Sequence, residues 1–229
     1  MKQTATGLAA LVLLLIAGCT TGGPDDAMAL RKLTWFSYLN GDDLRAGCTA
    51  GAPERLRLVY NADYAVHVRT YDLSPDPATG GATLAVRVLP AANLAALALG
   101  DILSPWRGIQ TSVSLSPGQR AELWSRVAAA GGLAPPPGGL SLSSEEIYWL
   151  VAGCHQGQAF VTARRVSETG APPAFAPLLA ALDTSGVAFP DLAARHRRLG
   201  QSPPRHSQDS SLAFTILITD QGLWGAPRF

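Results

Sequence analysis

The chain lacks most of the motifs by which enzymes are recognised from sequence. It has no G-x-S-x-G nucleophile elbow, no H-E-x-x-H zinc motif, no C-x-x-C pair and no glycine-rich phosphate loop. Its four histidines show no metal-ligand spacing (His67, His155, His196 and His206). We therefore expect neither a metal nor a cofactor, and the sequence favours a non-enzymatic protein. A hydrolase without a recognisable motif stays open as an alternative.

Two pairs of adjacent carboxylates have a spacing that argues against acid–base catalysis. Asp42-Asp43 and Glu145-Glu146 are neighbours in the chain. Neighbouring side chains point to opposite faces of a strand and diverge by about 100° on a helix. Glu146 also follows Ser143 by three residues, which is the spacing of a helix capping box. A capping role therefore accounts for Glu146 without catalysis.

Lysine is nearly absent, and the charges are almost balanced. The chain has sixteen arginines but only Lys2 and Lys32, and its formal net charge is +1. A catalytic lysine would therefore have to be Lys32. Nucleic-acid binding generally needs a basic excess, so no nucleic-acid partner is expected. Nearly half of the residues are hydrophobic, which predicts a folded core rather than a disordered chain.

The N-terminus has the order of a secretory signal. Lys2 precedes an apolar run over residues 8–16, and small residues then lead to Cys19. The apolar run is too short to span a bilayer as a stable helix. The stretch Ile16-Ala17-Gly18-Cys19 resembles the lipobox of bacterial lipoproteins. An ordinary secretory signal with a chance cysteine, or an uncleaved membrane anchor, remains the alternative.

The lipobox resemblance implies a lipid anchor and an address. Residues 1–18 would be removed as a signal peptide, and the Cys19 thiol would carry a diacylglycerol, with palmitate-type acylation of the new amino terminus. The domain would face the periplasm from the bacterial cell envelope. No Asp follows Cys19, which by the same resemblance favours the outer membrane over the inner one. Residues 19–31 then form the lipidated cysteine and tether, and residues 32–229 form one globular domain.

Lipidation of Cys19 would leave two cysteines in a compartment that favours disulfides. Cys48 and Cys154 are then predicted to form one bridge, which closes a loop of about a hundred residues. Two free buried thiols are one alternative. The other is a metal site that adds His155, the neighbour of Cys154, to the two cysteines.

The hydrophobic pattern predicts an α+β fold: a single domain with a mainly antiparallel sheet and two or three short helices. A hairpin is expected over residues 55–73, and further strands over residues 33–39, 82–89, 147–154, 159–166 and 212–219. Helices are expected after the Ser116 cap and over residues 175–182, with a buried helix or turn over residues 91–99. Asp42 or Asp43 is expected to cap a short helical turn that runs to Cys48, and residues 195–211 are expected to form a mobile loop.

A cationic hairpin face is the most specific candidate for a binding site. If the turn pairs Tyr60 with Tyr64, Arg57 lies opposite His67 and Arg55 lies opposite Arg69. Clustered arginine forks suit carboxylate or phosphate groups, so Arg55, Arg57, His67 and Arg69 are candidate anion-binding residues. A solvated face, or one neutralised by nearby acids such as Glu54 and Asp72, is the alternative.

The preferred function is therefore a non-enzymatic binding or envelope-assembly module, held at the membrane by its N-terminal lipid. Its expected partner is an envelope protein or a small anionic ligand. A small-anion or glycan-binding protein that uses the arginine face is the first alternative. An envelope hydrolase is the second.

Overall fold

The computed structural model describes residues 28–64, 66–90, 108–136, 138–166, 171–190 and 213–227. The chain is α+β, with one antiparallel sheet of six strands, a small sheet of three strands and about four short helices. The predicted fold class is confirmed. The predictions for the signal peptide, Cys19, residues 91–99 and residues 195–211 lie outside the described residues.

The larger sheet has the strand order β4-β3-β2-β1-β6-β7. Its strands are β1 (Arg55–Ala62), β2 (His67–Pro75), β3 (Ala82–Pro90), β4 (Ile109–Leu115), β6 (Ile147–His155) and β7 (Gln158–Arg165). All neighbours are antiparallel. Strand β6 is buried along nearly its whole length, as its continuous apolar sequence predicts.

The smaller sheet contains β5 (Leu140–Ser143), β8 (Phe214–Thr219) and β9 (Gly222–Pro227), with β8 in the middle. The prediction of a strand near residues 212–219 is confirmed. This strand is the middle strand of the smaller sheet.

Four helices complete the described fold: α1 (Met28–Asn40), α2 (Asp42–Ala46), α3 (Pro117–Ala129) and α4 (Ala176–Leu182). Helix α1 corrects the predicted strand over residues 33–39, and it begins inside the predicted tether. Trp35, Tyr38 and Leu39 recur at helical spacing, and all three are buried. These side chains are buried against the small sheet, and this packing makes the segment helical although its residue types favour a strand.

Helix α3 begins as its sequence predicts. The Ser116 side chain accepts a hydrogen bond from the Gln119 backbone, and the Gln119 side chain accepts one from the Ser116 backbone. Pro117 occupies the first turn, where its missing N–H costs nothing. In contrast, Gly41 stands at the cap position of α2 without a side-chain cap bond, so the predicted capping by Asp42 or Asp43 is wrong. Residues 143–146 form a tight turn rather than a capped helix.

The large sheet carries a hydrophobic core on each face. On one face, α3 and α4 cover apolar side chains from all six strands. On the other, α1 and the small sheet cover side chains that come mainly from β1, β6 and β7. The outer part of that second face stays open, because Thr83, Ala85, Gln110, Ser112 and Ser114 are exposed.

A disulfide joins Cys48 to Cys154, as predicted, with their Cα atoms 5.5 Å apart. It ties the segment after α2 to the end of β6. The adjoining β6–β7 turn uses Gln156 and Gly157, both with positive φ, which is the backbone that a two-residue hairpin needs. A Cβ at Gly157 would lie only 2.9 Å from the Ala50 backbone, so the segment after Cys48 packs directly on this turn.

No helix among the described residues is long and apolar enough to cross a membrane.

Candidate functional site

The predicted register of the β1–β2 hairpin is wrong. Tyr60 lies opposite Arg69, and Arg57 lies opposite Asp72. Strand β1 continues to Ala62, and the turn begins at Asp63, which has a positive φ. The register therefore moves by an odd number of positions, which transfers every side chain of β2 to the other face. The four proposed anion-binding residues do not share one face.

Arg57 is buried on the α1 side of the sheet, with 3% of its side chain exposed. Its Nε donates to Asp72 at 2.6 Å, and its terminal nitrogens donate to both carboxylate oxygens of Asp43 at 2.8 and 2.9 Å. It also donates to the Tyr38 carbonyl at 2.9 Å, and its guanidinium lies 3.7 Å from the centre of the Tyr38 ring. The donors of Arg57 are thus used inside the protein.

The Arg57 network raises two pKa values, which keeps Arg57 ionised and the Tyr38 hydroxyl protonated. Burial alone would lower the pKa of Arg57, but the charges of Asp72 and Asp43 outweigh burial and raise it above its usual range. Burial and the Asp72 charge raise the pKa of Tyr38, whose hydroxyl donates to Asp72 at 2.6 Å. Arg57 therefore links α1, α2 and β2 as a permanent cation.

Arg69 is buried on the opposite face, with 1% of its side chain exposed. It donates to the Asp183 carboxylate and to the Val187 carbonyl, and its guanidinium lies 4.0 Å from the centre of the Phe189 ring. Residues 183–189, called the strap below, are held against β2 by these contacts. Asp183 also accepts from the Tyr71 hydroxyl at 3.1 Å.

His67 supports Arg69 as a neutral acceptor. Its Nε2 accepts a hydrogen bond from Arg69 Nε at 3.0 Å. Burial lowers the pKa of His67 to about 4, and the Arg69 charge adds to the shift. Burial opposes ionisation of Asp183, but hydrogen bonds from Ser185 and the charge of Arg69 lower its pKa overall. The strap contact is therefore an ion pair beside a neutral imidazole.

Arg55 is the most exposed of the three hairpin arginines, with 39% of its side chain accessible. Its guanidinium lies 3.8 Å from Asp43, which also binds Arg57. Arg55 and Arg57 line a surface groove together with Asp43 and Asp72. Each of the three arginines thus faces a carboxylate of the chain itself, and the geometric basis for a shared anion site is lost.

His155 is the one described histidine outside the hairpin, and it is the last residue of β6. Its Nδ1 lies 2.9 Å from a Glu54 oxygen, and its ring lies 4.8 Å from the centre of Trp124. None of the hydrogen bonds within the described chain joins His155 to a serine. No group of three His, Cys, Asp or Glu side chains in the same ranges is arranged to hold a metal ion.

The outer edge of β4 is a feature that the sequence analysis missed. Strand β4 pairs with β3 on one side, and no described segment pairs with its other side. Its sequence, IQTSVSL, contains no charged residue and no proline. The alternation of Ile109, Thr111 and Val113 with polar residues was the signal that could have revealed this strand.

The two faces of β4 differ in character. Ile109, Thr111, Val113 and Leu115 lie opposite Val88, Val86, Leu84 and Ala82 of β3, on the side of the α3 core. Val113 is only partly buried there, and 42% of Ile109 is exposed. The other polar side chains of β4, Gln110, Ser112 and Ser114, stand on the open part of the other face. An added strand could therefore continue both the hydrogen-bond ladder and the apolar layer.

Comparisons of the chain with protein-family models, with curated proteins and with solved structures found no match.

Proposed function

We propose that this protein is a non-enzymatic binding module of the bacterial cell envelope, anchored through a lipid on Cys19. The lipobox resemblance supports the anchor and the periplasm-facing address. The Cys48–Cys154 bridge supports an oxidising compartment, because disulfides persist there and are rare in the cytosol. A short lipid tether raises the effective concentration of the domain toward other membrane-bound proteins.

The outer edge of β4, with which no described segment pairs, carries the proposal that the partner is a protein. Edge strands expose a row of backbone N–H and C=O groups that another strand can pair with, and folded proteins usually block them with charge, proline, bulges or short length. Strand β4 has seven residues and carries neither charge nor proline. The opposite edge strand, β7, ends instead with Arg164 and Arg165.

The chemistry of β4 selects an extended, uncharged segment of another envelope protein. Main-chain hydrogen bonds would supply much of the affinity, and alternate side chains would supply specificity. Apolar residues at every second position of that segment would cover Ile109 and Val113, which the α3 core leaves partly accessible. Polar residues between them would share the solvated face with Ser112 and Ser114.

Photo-crosslinking in native membranes tests this proposal. A photoreactive residue at Ser112 should form an adduct with an extended segment of one envelope protein, identified by mass spectrometry of the joined peptides. The same residue at Ser125, which is exposed on α3, should not form this adduct. Adducts of equal yield from both positions, or an adduct only with a second copy of this chain, would contradict the proposal.

A matched pair of lysine substitutions shows whether the edge itself is required. Ile109→Lys places a charge on the apolar side of β4 and should abolish the Ser112 adduct, because a buried unpaired charge is costly. Val66→Lys is the control, since Val66 is 44% exposed, close to the 42% of Ile109, but lies in the β1–β2 turn. Loss of the adduct with Val66→Lys, or its persistence with Ile109→Lys, would refute strand addition at β4.

A further inference from the structure

A mostly apolar pocket lies beside the other edge of the large sheet. It has a volume of about 310 Å³ and is bounded by the end of α3 and the following loop, by β6 and β7, and by residues 173–175. Trp149 and Phe175 form part of its lining, with their rings edge to face and 5.2 Å apart. Pro135 and Pro173 add further apolar surface. This composition resembles that of small-molecule sites, which are mainly apolar with a few placed polar groups.

Two polar side chains of β7 stand at this pocket, and neither has a partner in the described part of the chain. Thr162 lies opposite Val151, and Arg164 lies opposite Trp149, so the four side chains share one face of the β6–β7 pair. Thr162 is 7% exposed, and Arg164 is exposed. Among the described residues, neither the Thr162 hydroxyl nor the Arg164 guanidinium makes a hydrogen bond or an ion pair. The three hairpin arginines, in contrast, all face carboxylates.

We propose that this pocket binds a short apolar molecule that ends in a carboxylate. The apolar part would lie against Trp149, Phe175 and Val151, where it loses contact with water. The carboxylate would accept hydrogen bonds from the Arg164 fork, whose geometry matches two carboxylate oxygens, and from the Thr162 hydroxyl. One water molecule takes up about 30 Å³ in the liquid, so the pocket suits a molecule of about ten non-hydrogen atoms, such as octanoate.

The pocket is separate from the β4 edge. Strands β4 and β7 form the two opposite edges of the six-stranded sheet. Loss of ligand binding would therefore leave the crosslinking results at β4 unchanged, and failure at β4 would leave the pocket proposal standing. The two proposals can be judged independently.

Calorimetric titration of the full chain with octanoate, and with octanol as the uncharged probe, tests the proposal. Octanoate should bind about tenfold more tightly than octanol, as expected for a charge-assisted hydrogen bond. Arg164→Gln should remove this preference. Thr162→Val keeps the volume and should weaken octanoate binding about fivefold.

Arg165→Gln is the matched control for Arg164→Gln. Arg165 is the next residue of the strand, points to the other face and contacts Ser141 and Glu146. This variant should bind octanoate like the unmodified chain. Equal binding of octanoate and octanol, equal effects of the two arginine substitutions, or no binding of either probe would overturn the proposal.

Discussion

Arg57 and Arg69 are buried on opposite faces of the β1–β2 hairpin, and each holds a different segment of the chain against the sheet. Arg57 holds α1 and α2 through Tyr38 and Asp43, and Arg69 holds the strap through Asp183. A buried arginine whose partners are removed leaves an uncompensated charge, so these contacts should be visible in stability measurements.

Arg57→Lys should lower the free energy of unfolding by about 2–4 kcal/mol. A single ammonium group cannot reproduce the bonds that the guanidinium makes to Asp72, to both oxygens of Asp43 and to the Tyr38 carbonyl. Arg55→Lys makes the same change at a more exposed position and should stay within about 0.5 kcal/mol of the unmodified chain. Urea denaturation measures both. Similar losses from the two substitutions would show that Arg57 is not a structural link.

Asp183→Asn should destabilise the protein by about 3 kcal/mol and loosen the strap. The substitution leaves Arg69 buried without its carboxylate, while the amide keeps nearly the same shape. Limited proteolysis should then cut residues 183–189 faster than in the unmodified chain. Asp220→Asn, at an exposed turn between β8 and β9, is the control and should leave both quantities unchanged. Unaltered cleavage of the strap in Asp183→Asn would contradict the claim that Asp183 holds the strap against the sheet.

The stability of the protein should fall as the pH drops from about 6.5 toward 4, because of His67. Its pKa is about 4 in the folded state and near 6.5 in the unfolded state, so the unfolded chain takes up the proton first. The loss should reach about 2–3 kcal/mol at the acid end of this window. His67→Gln keeps an acceptor for Arg69 and should flatten the profile between these two pH values. Parallel profiles for the two proteins, measured by urea denaturation, would contradict this account of the buried imidazole.

Replacement of both Cys48 and Cys154 by serine should lower the free energy of unfolding by about 2–5 kcal/mol. The bridge joins residues 106 positions apart, so its loss frees a long loop in the unfolded state. Thiol labelling of the denatured full chain gives a direct check. Cys48 and Cys154 should react only after reduction, and labelling of either one before reduction would rule out the bridge.

Local patterns predicted the parts of the fold that need no distant partner. Helix α3 was predicted because its cap residue, Ser116, lies next to the first turn of the helix in the sequence. The strands on either side of the β6–β7 turn were predicted because each is a short apolar run, over residues 147–154 and 159–166. The disulfide was predicted from the number of cysteines that remain once Cys19 is set aside.

The features that failed depend on contacts that a sequence does not show directly. Residues 33–39 have the composition of a strand, but the small sheet, built from residues more than a hundred positions away, buries Trp35, Tyr38 and Leu39 as one face of a helix. The β1–β2 register depended on which residues formed the turn, and the odd shift separated Arg57 from Arg69. The candidate anion site depended on the predicted register, so the observed register removes its basis.

The arginine face and the β4 edge illustrate opposite limits of sequence reasoning. The arginines were chosen as candidates because charged residues are unusual in a strand. In the fold, carboxylates from α2, β2 and the strap form ion pairs with them. Strand β4 was not predicted as a binding site because it has no charged residue. Its edge position arises from the strand order, which leaves its outer side unpaired within the described chain.

Amide hydrogen exchange across β4, in the protein alone and in its crosslinked complex, tests the central claim most directly. Free β4 should exchange quickly at the amides that point away from β3, because they have no partner in the described fold. In the complex, those amides should become at least about tenfold slower, while the amides that already bond to β3 change little. Unchanged exchange along β4, with protection appearing on another surface, would contradict the claim that this edge binds the partner.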